Sequence, residues 1–421
     1  LRTLTRRRLL TAAVIAPALA ACGATAHEAT SFTYWSMWKE NEPQAHVLAQ
    51  AIADFKRDTG ITVDVRWQGR EVLTKLADDR DAVPDLVDQE NTKVRAALVA
   101  SRGFRDLAPV LSAQVPGMGR TVGELISPKY LESLRQDGQM FLMPYEVIGH
   151  GLWFDGSAMA AVADEPPRTW NELAALMAKC RKAGRAPIAL DADISGYGSY
   201  WTIGALQGAL GPGKVRELAR DRTGRAWERP DVREAVTRVK SFVDLGYFDA
   251  RAADSRWPSA QLDWARHKTD FLLMGSWTPS EIGPSAVQGF QFRFVPLPGA
   301  STAVPVSTIG FAIPATAGRA SLAERFIAHF FKDGTLSKIA TVAKNLTPNP
   351  ELPAPDDLAD VGRALAALPV SQPLDGILEI TGYAAEVFEP VNDELLKGRI
   401  DVAGFVAELV RRQADYWRKN S

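Results

Sequence analysis

Cysteine is almost missing from these 421 residues: there are two, Cys22 and Cys180. The five histidines, His27, His46, His150, His267 and His329, show no paired ligand spacing. A structural or catalytic metal centre is therefore not expected, and neither is any cofactor. No basic tract stands out, with 49 basic residues against 50 acidic, so nucleic acid is not an expected partner. No Gly-x-Ser-x-Gly nucleophile motif occurs. The segment Gly208-Ala209-Leu210-Gly211-Pro212-Gly213-Lys214 imitates a phosphate loop, but Val215 stands where the magnesium-binding Ser or Thr belongs. It also follows a predicted helix instead of a strand, so it reads as a helix end and turn. Internal repeats, coiled-coil heptads and low-complexity tracts are absent too.

One long apolar stretch is present, and it is short for a membrane span. Thr5-Arg6-Arg7-Arg8 precedes an apolar run from Leu9 to Ala21 that closes on Leu19-Ala20-Ala21-Cys22. A bilayer needs ~20 apolar residues. Positive start, apolar middle and small-residue end make a secretory signal over residues 1–21. The Thr-Arg-Arg pair is also compatible with twin-arginine export. Leu-Ala-Ala-Cys resembles the lipobox of bacterial lipoproteins. That resemblance implies that Cys22 opens the mature chain, carries lipid and holds the body on the outer face of the cell membrane, with residues 22–30 as tether. Cleavage removes four of the 49 basic residues and no acidic ones, leaving a mildly acidic body with 45 against 50. Cys180 is then unpaired and no intramolecular disulfide is expected. It shares a predicted helical face with Trp170, Leu173 and Met177, and reads as a structural thiol.

A chain of this length exceeds the ~250–300 residues at which one core usually divides, so two domains are expected. Phe32–Trp35 reads as a strand, Val47, Leu48, Ala51, Ile52 and Phe55 as a helical stripe, and Ile61–Trp67 and Pro84–Asp88 as further strands. This alternation predicts a parallel sheet with covering helices. Further on, Phe141–Pro144 and Gly149–Phe154 read as two strands, Thr169-Trp170-Asn171-Glu172 as a capping box, and Pro187–Leu190 and Asp270–Met274 as short strands. Val304–Pro314 is a long extended stretch suited to passing between domains. Mostly helices follow, up to Tyr416-Trp417.

Several segments, each weak alone, occur in one order: the lipobox, Ala53–Val63, Val83-Pro84-Asp85-Leu86, Met143-Pro144-Tyr145-Glu146, Leu152-Trp153-Phe154-Asp155, Pro167–Leu173, Met274-Gly275-Ser276-Trp277 and Gly310–Pro314. In that order the chain resembles the extracellular solute-binding lipoproteins of bacterial ABC importers, carbohydrate-binding group. The resemblance implies an α/β, two-lobed, type II periplasmic-binding-protein-like fold, with a ligand cleft between lobes joined by crossing strands. Lobe 1 would comprise 31–145 and 308–348, and lobe 2 146–307 and 349–421. Crossings would fall near Tyr145, Val304–Gly310 and Asn345–Pro350.

Ligands of open α/β sheets sit beyond the carboxyl ends of the strands. That rule selects the loops Trp35-Ser36-Met37-Trp38-Lys39, Gln68-Gly69-Arg70 and Asp88-Gln89-Glu90-Asn91. Aromatic rings can cover the apolar faces of a sugar while carboxylates and amides take its hydroxyls, and the first and third loops offer that mixture. Helix capping by Asp88 and Asn91 and core packing by Trp35 are the competing roles. Tyr145 and Glu146 sit at the expected hinge, where a carboxylate could accept two hydroxyls or form a salt bridge. The resemblance places an aromatic platform near Asp191, Asp193, Tyr197, Tyr200 and Trp201, and a sugar-stacking ring at Trp277, where Gly275 and Ser276 would leave room for a ligand. The candidate ligand-binding set is Trp35, Ser36, Trp38, Asp88, Gln89, Glu90, Tyr145, Glu146, Asp193, Trp201, Trp257 and Trp277. Of the eleven tryptophans, Trp67, Trp153, Trp170, Trp227, Trp264 and Trp417 are assigned to packing or surface.

The expected function is non-catalytic: a monomeric carrier that captures a mono- or oligosaccharide and hands it to a membrane permease powered by a separate ATPase. The same fold could instead take a glycerophosphodiester or another polar solute, although Arg70 is the only arginine in the three loops. A secreted glycosidase using Glu146 with Asp191 or Asp193 is the enzymatic alternative. The leader makes its own prediction. Cys22→Ser should yield protein that no longer partitions with membranes once the signal is cleaved. Fractionation combined with mass spectrometry of the mature N-terminus checks this, and continued membrane partitioning of cleaved protein would refute it.

Overall fold

The computed structural model describes residues 30–78 and 83–420, so the leader, Cys22 and most of the tether lie outside the described residues. Strands β1 (Ser31–Ser36), β2 (Thr62–Trp67) and β3 (Leu86–Glu90) are parallel, with β1 in the middle. The helix Pro43–Thr59 links the first two. It begins with Pro at its first turn and ends at Gly60, whose φ of 74° supplies the left-handed cap. A small hairpin, β4 (Arg135–Gln136) with β5 (Gln139–Met140), precedes the longest strand, β6 (Met143–Asp155). Then come β7 (Ile188–Ala189), β8 (Phe271–Gly275), β9 (Phe292–Val295), β10 (Val304–Ala312) and β11 (Val370–Ser371).

The main sheet runs β2-β1-β3-β10-β6-β8-β7, with β9 added on β6 and β11 on β10. Its two longest strands carry it from one lobe to the other. The first half of β6 pairs antiparallel with β10 through Glu146–Ile309, Val147–Thr308, Ile148–Ser307 and Gly149–Val306. Its second half pairs with β8 on one edge and β9 on the other. A third segment crosses beside them, where the Val147 amide donates to the Leu346 carbonyl at 2.8 Å. The two strands expected over 141–154 are therefore one. All 13 residues of β6 are buried, including Glu146 and His150, because neighbours flank both edges and both faces are covered. Polar residues inside such a strand mask its continuity in the sequence pattern.

Core residues follow the same division. One cluster collects Phe32, Tyr34, Phe55, Phe311, Phe326 and Phe330, with edge-to-face rings such as Phe55 on Phe326 at 5.4 Å. Two others, around Trp201 and Phe242 and around Trp227 and Phe405, hold the second lobe, and a third, around Trp153 and Trp264, lies mostly in that lobe but also takes in Tyr130 and Leu346 beside the crossing. Trp153, Trp227 and Trp264 are fully buried and each indole N–H finds an acceptor: the carbonyls of Met274 and Asp270, and the Gln413 amide oxygen. Trp170 stacks on Phe242 at 5.1 Å and opens a helix capped by the Thr169–Glu172 box. Cys180 on that helix is partly buried, and burial together with the nearby Asp270 carboxylate pushes its thiol up to about 11, away from nucleophilic reactivity. The phosphate-loop mimic is a turn: one helix ends at Leu210 and the next starts at Lys214, with Gly211 and Gly213 at φ 99° and 80°.

Gly310 marks the tightest point of the crossing. The register of β10 against β6 shifts between Ile309 and Gly310, and a Cβ at Gly310 would lie 2.3 Å from the Met143 carbonyl oxygen. Backbone must move to admit a methyl group there. Gly310→Ala should destabilise the fold by about 1–3 kcal/mol, read as a lower urea midpoint; an unchanged midpoint would mean that the strand pair yields freely.

Candidate functional site

The carboxyl ends of β1 and β3 are tied together by one buried carboxylate. Asp88 is fully buried, and its two oxygens accept the Met37 amide at 2.8 Å, the Ser36 hydroxyl at 3.3 Å and the Tyr145 hydroxyl at 2.6 Å. Burial raises its pKa, and these three donors oppose the rise. Tyr145, fully buried on β6, also accepts the Trp38 indole N–H at 2.8 Å. Trp38 is 4 % exposed, and the Arg70 guanidinium lies 4.4 Å from its ring centre. Arg70 in turn makes a bidentate pair with Glu42 and donates to the Met37 carbonyl. Ser36, Trp38, Asp88 and Tyr145 thus act on one another. They shape the loop, with no free polar atom on Asp88 to offer a ligand. Trp35 is buried in the first core cluster. Gln89 is spent internally, donating to the Arg70 carbonyl and accepting the Glu90 amide.

Glu90 is different. It is half-buried, its carboxylate accepts the Thr92 hydroxyl at 2.8 Å, and burial raises its pKa. Burial raises the pKa of Tyr200, and the negative charges of Glu90, from the other lobe, and of Glu389, from its own, add to the rise. Tyr200 stacks on Tyr197 at 6.1 Å with an interplanar angle of 26°. Tyr197 lies within the fields of Glu281, Asp191 and Asp193.

Trp277 is half-buried and packs against the core clusters of both lobes. The missing side chain of Gly275 does not open a path for a ligand. Its space is filled by the Trp277 ring itself, which a Cβ would meet at 2.1 Å. His150 stands edge-on to Trp277 at 5.4 Å and lies 5.0 Å from the Tyr200 ring. Its Nε2 meets the Ser307 hydroxyl at 3.1 Å while Nδ1 is buried without a partner. Burial lowers its pKa to about 4, so the ring is neutral at neutral pH. Half-buried Trp277, Tyr200 and Tyr197 therefore form one aromatic surface with buried His150 packed between Trp277 and Tyr200, and the Glu90 carboxylate lies near Tyr200.

The remaining candidates fall on either side of that surface. Trp201 is fully buried, packed against Phe242 and Phe248, and presents no face outward. Helical spacing puts Tyr197 close to both Tyr200 and Trp201, and it is packing against Phe242 and Phe248 that seals Trp201 in the core. Asp191 is buried and accepts the Ser255 hydroxyl and the Ala260 and Gln261 amides, so it secures a loop. Asp193 is exposed and accepts the amide of the 43 % exposed Trp257 at 3.0 Å. His150, Glu281 and Glu389 were not singled out from the sequence. Nothing in their local pattern sets them apart, because the strand pair and two distant helices bring them together.

Glu146 sits on the crossing strand, 1 % exposed, with Oε2 unpartnered. Burial pushes its pKa up to about 8 despite the opposing Gln44, Arg70 and Asn345 side chains. A carboxyl group held neutral there can donate one hydrogen bond and accept another, which suits a hydroxylated ligand or solvent.

Residues 40–335 match the family model for bacterial extracellular solute-binding proteins. The diacetylchitobiose binding protein NgcE of Streptomyces coelicolor is 21% identical over 249 residues, 58% of this chain and 50% of that protein. An uncharacterized ABC transporter extracellular-binding protein of Pyrococcus horikoshii is 25% identical over 185 residues, 42% of this chain and 41% of that protein. The matched chain thus spans about half the length of these curated relatives or less. Among solved structures, apo RafE from Streptococcus pneumoniae superposes with a TM-score of 0.75 at 17% identity, covering 92% of this chain and 98% of that one. That likeness shows the two-lobed fold.

The raised Glu146 carboxyl has a measurable consequence. The native state keeps this proton up to about pH 8, whereas an unfolded glutamate loses it near 4.5. Across that interval the native state binds more protons, so the contribution of Glu146 to stability falls as pH rises. Glu146→Gln, a neutral isostere, should melt like the unaltered protein at pH 5 and at a higher temperature at pH 8. Melting curves at the two pH values decide this, and an equal offset at both would remove Glu146 as the titrating group.

Proposed function

We propose, from the premise that the chain belongs to the bacterial extracellular solute-binding proteins, that it binds a mono- or oligosaccharide between its lobes and delivers it to an ABC permease. The observation that carries this reading is the surface formed by Trp277, the Tyr197–Tyr200 stack, neutral His150 and Glu90. Aromatic faces there stand beside hydroxyl-binding groups, and both lobes contribute. RafE has been solved with raffinose, and NgcE is named for diacetylchitobiose, which supports a sugar as the ligand class. The lobe boundaries we adopt are 31–145 with 308–348, and 146–307 with 349–421. Glu90, Glu146, Trp257 and Trp277 remain the ligand-contacting candidates from the original set. Ser36, Trp38, Asp88, Gln89, Tyr145 and Asp193 support the loops around them.

Delivery implies permease subunits and a separate ATPase, and in this reading the protein works as a monomer fixed to the outer face of the cell membrane through lipidated Cys22. Twin-arginine export is one possible route for it. Catalysis is not part of the reading. Asp191 is committed to three donors in a buried turn, which argues against its pairing with Glu146 as a glycosidase acid and nucleophile. A phosphate-bearing ligand is disfavoured in this surface because Arg70 is already paired with Glu42.

A calorimetric screen of mono- and oligosaccharides identifies the ligand, and Trp277→Ala then tests the surface. Loss of one stacking face should cost about 1–3 kcal/mol of binding, taking base–aromatic stacking as the nearest scale, or roughly 5- to 150-fold in Kd. Unchanged affinity would place the ring outside the site. A melting curve run alongside separates lost contact from lost packing, since Trp277 touches both cores.

A further inference from the structure

A second chamber lies on the other side of the crossing strands. Successive residues of a strand point to opposite faces. Ser307 faces His150 and the aromatic surface, so Val306 and Thr308 face away from it. On that far side is a cavity of about 340 Å³ lined by Val306 and Thr308, with Arg95, Lys129 and Arg135 from one lobe and Arg216 and Glu379 from the other. Glu132 also borders it, so four cations face two carboxylates.

The carboxylates do not balance the cations. Glu379 is shared by Arg216 at 2.5 Å and Arg95 at 3.5 Å, a bridge between the lobes whose ends are 12–13% exposed on Arg95 and Glu379. Lys129 and Arg135 take part in no ion pair among the described residues. The Lys129 ammonium donates to the Leu365 carbonyl, and Arg135 donates to the Gly138 carbonyl at 3.0 Å. Partial burial lowers the pKa of Lys129, and burial lowers that of Arg95. The Thr308 hydroxyl, on a residue 2 % exposed, has no hydrogen-bond partner, while its amide donates to Asn91 Oδ1 at 3.0 Å. A buried hydroxyl left unsatisfied at the wall of a water-accessible, cationic cavity is a donor waiting for an acceptor. The volume is at the lower end of the range for small-ligand sites.

We propose that this interlobe cavity binds a small oxyanion, a phosphate or carboxylate group, held by the unpaired cations Lys129 and Arg135 with the Thr308 hydroxyl as a neutral donor. This site is separate from the sugar surface, does not depend on the sugar reading, and draws its walls from both lobes. Two arms distinguish the anion's chemistry: calorimetric titration of the whole chain with inorganic phosphate, and with citrate, each at fixed ionic strength. Saturable one-site binding of at least one anion is expected. The Lys129→Gln/Arg135→Gln double variant should weaken it at least tenfold, and Thr308→Val should weaken it several-fold while keeping the strand's β-branched shape. Thr308→Val carries the test should the double variant fail to fold. No saturable binding of either anion, or an affinity that neither variant changes, overturns the proposal.

Discussion

The antiparallel pairing of β6 with β10 is the constraint on which the molecule depends. Those strands carry the chain across the lobe boundary, where an unpaired backbone would leave buried amides and carbonyls without partners. By bonding to each other they keep a single sheet continuous from β2 to β7. Side-chain alternation along the same pair then makes two chambers. Ser307 and His150 face the aromatic surface, and Val306 and Thr308 face the cationic cavity. Gly310 allows the closest approach of the two strands, and the register shift beside it bends the ladder at the lobe boundary.

Buried polar groups near this boundary divide into two kinds. Asp88, Tyr145 and Trp38 form a closed circuit in which the polar side-chain atoms of all three are engaged, and this circuit joins the β1 loop to the hinge strand. In such a circuit hydrogen bonds in a low-dielectric setting offset part of the desolvation cost, although burial still holds the Asp88 pKa above its ordinary value. Glu146, His150 and Thr308 each keep one buried atom without a protein partner. Groups of this second kind carry a desolvation penalty that the fold alone does not offset. They are where solvent or ligand completes the structure, and all three lie on the crossing strands.

Much of the framework is legible in the residues. The Thr169–Glu172 box, the strand–helix alternation from Phe32 to Asp88 and the glycine-bounded turn at Gly211–Gly213 follow from local rules that tertiary packing leaves intact. The extended stretch from Val304 was equally readable, from Val304, Val306, Thr308, Ile309 and Phe311, although Pro305 and Gly310 interrupt it. Less legible was the continuity of β6, because Glu146 and His150 interrupt its apolar run, and only flanking strands explain why they are buried. Individual aromatic roles were harder still. Trp201 and Tyr200 are neighbours in sequence with opposite fates, one sealed in a core and the other turned towards the cleft.

What the sequence by itself determined is the class of element at each stretch and the residue types gathered at strand ends, while the two-lobed arrangement of its α/β elements came from the family resemblance of its ordered motifs. Element class depends on periodicity, capping and turn chemistry, which act over a few residues. Tertiary structure alone decided which polar groups are spent on each other and which are left facing a cavity. Asp88 is scaffold because Tyr145, 57 positions away, donates to it. Lys129 and Arg216 came to share a chamber because the strand pair holds one lobe against the other. Hydrogen-bond satisfaction depends on where distant chain segments meet, and local sequence does not encode that distance.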